Sequence, residues 1–160
     1  MGNAFGRQIL ETTGRSIQVS ADGKPLTKAG GITIDWTTIA AQAGSDVTYL
    51  DGVLVKVGEK ALRYGQVVSL ITATGLYGPY DPAAADGRQN APVRGECYIV
   101  NETFKEDEVA SNYPPVLEGG LVFLNRIIQS GVAVHTLALG PTLAELLPAF
   151  PTLRLIKETN

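Results

Sequence analysis

One cysteine, one histidine, one tryptophan and no long apolar run: these scarcities bound what the 160-residue chain can be. With Cys97 alone, no internal disulfide forms and no set of thiols is at hand for zinc. Cys97 alternates with Arg94 and Glu96 in an expected strand, and no neighbour is placed to lower its pKa. It reads as a buried structural thiol. His135, between Val134 and Thr136 in an apolar run, reads as a hydrogen-bonded strand histidine rather than a general base. Thirteen Lys and Arg against sixteen Asp and Glu leave a net charge of −3, with the cations scattered. Nucleic-acid binding therefore has no electrostatic footprint. No apolar run approaches the roughly 20 residues that span a bilayer. The opening MGNAFGRQILETTGR lacks the positive start and continuous apolar block of a signal peptide, so a soluble product made in a cytoplasm is expected. Gly6 stands where a myristoylation pattern wants Ser or Thr.

Catalytic motifs are equally scarce. The chain has no G-x-S-x-G, no Walker loop and no G-x-G-x-x-G. Its grouped carboxylates are Asp81 and Asp86 in one loop and Glu106, Asp107 and Glu108 in another, and neither set has calcium-loop spacing. Asp81-Pro82 reads as a turn starter, Asp86-Gly87 as a turn centre, and the Glu106 run as a solvated loop. No cofactor, metal or enzymatic activity is expected.

What the chain does have is turns and short apolar runs. Hydrophobic residues make up 44%, with 18 glycines and 9 prolines, which predicts a mainly β domain of short strands. Residues 1–30 are polar and Gly-punctuated, apart from Ile9-Leu10 and an alternation at Ile17 and Val19. Such a segment is either a frayed terminus or an arm that gains a partner strand on another protein. The folded body is predicted to begin at Gly31, with a hairpin elaboration over 31–61 and a core over 62–160. Ile32, Ile34 and Trp36 would share one face of a strand. Thr37 to Ala43 is ambiguous between a helical turn and continued strand. Val47–Leu50 and Val53–Val57 flank Asp51-Gly52, predicting a hairpin with a type I′ turn. Further strands are predicted at Gln66–Thr72, Arg94–Val100, Leu121–Ile128, Val132–Leu139 and Thr152–Lys157. A capping box at Thr142-Leu143-Ala144-Glu145 predicts one short helix to Leu147.

The order GQVV, then TGLYGPYDP, then AADGRQNAPVRGECYIV resembles the core of tailed-bacteriophage head decoration proteins. The preceding GGITIDWTTIA, DVTYLDGVLVKVG and LRYGQVV extend the resemblance from about Gly30 to Val100. The resemblance implies a small, barrel-like β-tulip core and a homotrimer. It also implies a place in the virion, on the outer surface of the expanded head, where the trimer bridges major capsid protein subunits at three-fold positions. It favours the arm reading of residues 1–30, with Phe5, Ile9, Leu10, Ile17 and Val19 as capsid-binding candidates. Trp36, Tyr77 and Tyr80 are candidates for the trimer interface, since aromatic rings dominate such contacts. No direct nucleic-acid or membrane contact is expected. Two rivals stand beside this reading. One is a carbohydrate-binding or adhesin-like β module with Tyr77, Tyr80 and Asp81 as its floor. The other is a small hydrolase pairing His135 with Asp81 or Asp86.

Overall fold

Adjacent apolar residues, rather than strict alternation, mark the strands that make the centre of the molecule. The structure, a computed structural model, describes residues 26–49, 51–90, 96–106, 116–123, 128–129, 132–133 and 153–156. Its strands are β1 (Leu26–Thr27), β2 (Val47–Thr48), β3 (Leu54–Val55), β4 (Ala61–Leu62), β5 (Val67–Leu70) and β6 (Tyr77–Pro79). They continue with β7 (Cys97–Val100), β8 (Phe104–Lys105), β9 (Val116–Phe123), β10 (Ile128–Gln129), β11 (Val132–Ala133) and β12 (Leu153–Ile156). The chain is thus mainly β, with two 3₁₀ turns, Trp36–Thr38 and Arg88–Asn90, as the only helical segments among the described residues. The principal sheet runs β1-β9-β7-β5-β6, and β12 adds to β9 in parallel. Two-stranded ladders β2–β3, β4–β8 and β10–β11 are antiparallel.

The register explains the apolar runs. Val67, Ser69, Cys97, Ile99 and Leu117 lie on one face of this sheet, all at most 1% exposed. Val68, Val100 and Val116 lie on the other, all at 0%. A sheet covered on both faces needs apolar side chains on both, which removes the period-2 signature. On the Val68 face the cluster is completed by Ile32, Ile34, Ile39, Leu62 and Phe104. Ile32, Ile34 and Ile39 of the 31–61 region are thus part of the core.

The turn after β5 follows its glycine. The Ile71 carbonyl accepts from both Thr74 N–H (3.3 Å) and Gly75 N–H (2.9 Å), and Ile71 N–H donates to the Leu76 carbonyl at 2.8 Å. Gly75 takes φ 72°, in the left-handed region. Leu153–Ile156 matches the predicted closing strand.

Elsewhere the structure departs from the sequence reading. The segment read as an arm through residue 30 contains β1, which pairs with β9 at Leu26↔Gly119 and Thr27↔Leu117. Trp36 leaves the strand: Ile34 bridges Tyr77, and Asp35 then caps a 3₁₀ turn through its side chain. At the β2–β3 hairpin, Tyr49 N–H donates to the Val53 carbonyl and Gly52 N–H to the Tyr49 carbonyl. Three residues thus separate the paired Tyr49 and Val53, one more than a type I′ turn allows, with Gly52 at φ 83°. The Gly/Pro/Tyr stretch, where no strand is predicted, contains β6, and Pro79 is tolerated there because β6 is the edge strand. No strand is predicted between Val100 and the Glu106 run, yet Phe104 and Lys105 pair with β4 and Asn101, Thr103 and Phe104 are buried. The strand expected at Leu121–Ile128 begins earlier, at Val116. The helix expected over 142–147 lies outside the described residues, as does most of the strand expected at Val132–Leu139.

Candidate interaction surface

Three half-buried aromatics pack against the buried cluster: Trp36, Tyr77 and Tyr98. Trp36 is fixed by its turn. Asp35 Oδ1 accepts from Thr37 N–H at 3.0 Å and from the Thr37 hydroxyl at 2.6 Å, and Lys60 Nζ donates to the Trp36 carbonyl at 2.8 Å. This Asx-type cap satisfies a backbone donor that a three-residue helix cannot satisfy internally. Tyr77 is fixed by its backbone, which donates to the Thr33 carbonyl and accepts from Asp35 N–H, both at 2.8 Å.

Tyr77 on β6 and Tyr98 on β7 flank β5 and share its Val68 face. Their ring centroids are 5.5 Å apart with planes at 58°. Burial, followed by the neighbouring Tyr98 and a hydrogen bond to it, pushes the Tyr77 phenol up to about 12. Burial also raises Tyr98, against the lowering effect of the Tyr77 hydrogen bond. Both rings stay neutral and protonated at physiological pH. Lys28 Nζ lies 5.7 Å from the Tyr98 centroid, within cation–π range. The result is a half-buried aromatic patch, flanked by Lys28, whose Trp and Tyr side chains are among those that protein interfaces enrich.

Of the three expected interface residues, the structure brings Trp36 and Tyr77 to this patch and separates Tyr80 from it. Tyr80 is 3% exposed and its N–H donates to the Val67 carbonyl at 2.8 Å, so its ring serves the core. That also dismantles the two-tyrosine floor of a sugar site. Tyr98 and Lys28 were missed by sequence reasoning. A usable signal was the register Glu96-Tyr98-Val100, which places Tyr98 on the same face as a core valine. The arm candidates Phe5, Ile9, Leu10, Ile17 and Val19 lie outside the described residues, as does His135.

The carboxylates of the 81–90 loop are structural. Asp81 Oδ1 accepts Ala83 N–H at 2.9 Å. Asp86 pairs with Arg88 at 3.0 Å, and hydrogen bonds from Arg88 hold its carboxyl below the usual range. Arg88 also donates to the Pro79 carbonyl at 3.0 Å, and Thr72 N–H donates to the Asp86 carbonyl at 3.0 Å, so the loop is tied back over the β5–β6 hairpin. Cys97 is 1% exposed with Ser69 Oγ 3.4 Å from its sulfur. Among the described residues no group of three or more His, Cys, Asp or Glu is placed to hold a metal ion.

No protein-family profile matches the chain, and neither a curated protein nor a solved structure matches it significantly.

Proposed function

We propose that the chain is a head decoration protein of a tailed bacteriophage: a homotrimer that binds the outside of the expanded capsid and braces neighbouring coat subunits against internal DNA pressure. The observation that carries this reading is the ordered run GQVV, TGLYGPYDP and AADGRQNAPVRGECYIV, whose resemblance to that family spans β5, β6, the tied-back loop and β7. The mainly β fold is consistent with it, and the Trp36–Tyr77–Tyr98 patch is a surface of the kind that homo-oligomers cover. Three arms on one rigid trimer act together, so weak single contacts sum to high avidity. Residues before Leu26 would add strands to the shell by β-augmentation, with Ile17 and Val19 as side-chain anchors. The carbohydrate-binding alternative loses its proposed floor with the burial of Tyr80.

The oligomeric state is the first test. Light scattering at micromolar concentration is expected to give three times the 16.9 kDa chain mass. A 16.9 kDa particle would count against the reading.

A further inference from the structure

A cleft of about 260 Å³ opens between the Trp36–Thr38 turn, the β2–β3 hairpin and the turn joining β4 to β5. Ile39, Ala40, Ala61 and Pro79 give it an apolar lining, and among the described residues Arg63 is the one charged residue on its wall. The guanidinium carbon of Arg63 lies 5.2 Å from the Tyr49 ring centroid and 5.5 Å from that of Tyr64. Those rings pack edge to face at 6.5 Å. The cation is therefore held by aromatic rings and not by an anion: its side chain makes no hydrogen bond or ion pair to any described residue, and its Nε is enclosed without a partner.

The same turn positions a second donor. Gln66 N–H donates to the Arg63 carbonyl and Arg63 N–H to Gln66 Oε1, both at 3.1 Å. With its amide oxygen so engaged, Gln66 has its Nε2 donors left for the cleft. Thr38, also on the wall, has its hydroxyl committed to the Asp35 carbonyl at 2.7 Å.

We propose that this cleft receives the carboxylate of an aspartate or glutamate side chain presented by a protein partner. The charge is complementary, and a guanidinium whose orientation is set by ring contacts offers its η nitrogens as a fork that matches a carboxylate. One cation neutralises a monoanion, whereas a phosphate would bring about −1.5 to −2. The volume lies below the roughly 300–1,000 Å³ of small-molecule sites, which fits a single side chain better than a whole metabolite. The inference stands apart from the capsid reading, since any protein partner with a protruding acidic side chain would satisfy it.

The test is a titration of the ¹⁵N-labelled full chain, followed by the Arg63 Nε–H and Gln66 side-chain signals. The probes are the capped tripeptide Ac-Ala-Glu-Ala-NH₂, its Gln counterpart, and free glutarate. Saturable shifts of both signals are expected with the Glu peptide, at least tenfold weaker with the Gln peptide, and no tighter with glutarate. Arg63→Met, which keeps an unbranched chain over the rings, should abolish the Gln66 side-chain shift; Arg63→Lys should weaken it by losing the fork. Equal response to the two peptides, no saturation, or binding retained by Arg63→Met would overturn the proposal. Glutarate binding tenfold tighter than the peptide would overturn it in favour of a metabolite site. If Arg63→Met loses its amide dispersion, the Glu-against-Gln comparison on the unaltered chain decides.

Discussion

At Gly87 two separate constraints meet in one residue. Its φ of 107° is hostile to L side chains, and an added Cβ would meet the Thr72 side chain and come within 3.1 Å of the Thr72 backbone nitrogen. Strain and overpacking each cost roughly 1–3 kcal/mol, so Gly87→Ala should lower the urea midpoint markedly. Gly30→Ala is the control: φ is 78° but nothing lies within 4 Å, so only the ~1–2 kcal/mol left-handed penalty applies. Asp51 makes a long-range contact, accepting Thr103 N–H at 2.7 Å, while Thr103 Oγ1 accepts Tyr64 N–H at 3.1 Å. Asp51→Ala strands a buried donor and should cost about 1–3 kcal/mol in chemical denaturation. Asp51→Asn keeps an acceptor there and should cost less. Tyr77 carries a pH signature. Its folded pKa of about 12 exceeds the unfolded value near 10, so the native state holds the proton more tightly. That contribution is intact below pH 10 and disappears as pH climbs towards 12. Thermal melts across this window should show a decline that Tyr77→Phe makes shallower.

Strands and turns show where the sequence is readable and where it is not. The β5–β7 pair, the Gly75 break and β12 follow from β-branched runs and glycine punctuation. β1 and β8 do not: two residues each, they exist because β9 and β4 offer partners, and no local pattern announces a partner. Trp36 fits the alternation of Ile32 and Ile34, but Asp35 caps a turn there and overrides it. The same reasons apply to the aromatic patch. Tyr77 stood out among turn residues, while Tyr98 became visible only once β7 had a register. The position of β1 makes a direct prediction about truncations. Removing residues 1–25 should leave the circular dichroism and melting temperature of the domain close to those of the full chain. Removing residues 1–29 deletes β1 and the Lys28 N–H bond to the Val116 carbonyl (2.9 Å), and should lower the melting temperature by several degrees. Equal melting temperatures for the two truncations would mean that the β1–β9 pairing adds nothing measurable.

As a whole, the molecule combines a sheet buried on both faces with a half-buried aromatic patch, and its carboxylate loop is tied down by Arg88 and Thr72. Rigidity of this kind suits a clamp, which must transmit load between its contacts without itself deforming. In the proposed assembly the arms give attachment and the trimer gives stiffness, so the 1–25 truncation should remain a trimer and yet fail to attach. The direct measurement is co-sedimentation of the full-length protein with expanded, undecorated phage heads. The account predicts saturable binding in multiples of three copies per three-fold position, lost when residues 1–25 are removed. Protein that stays in the supernatant as a monomer beside expanded heads would contradict it.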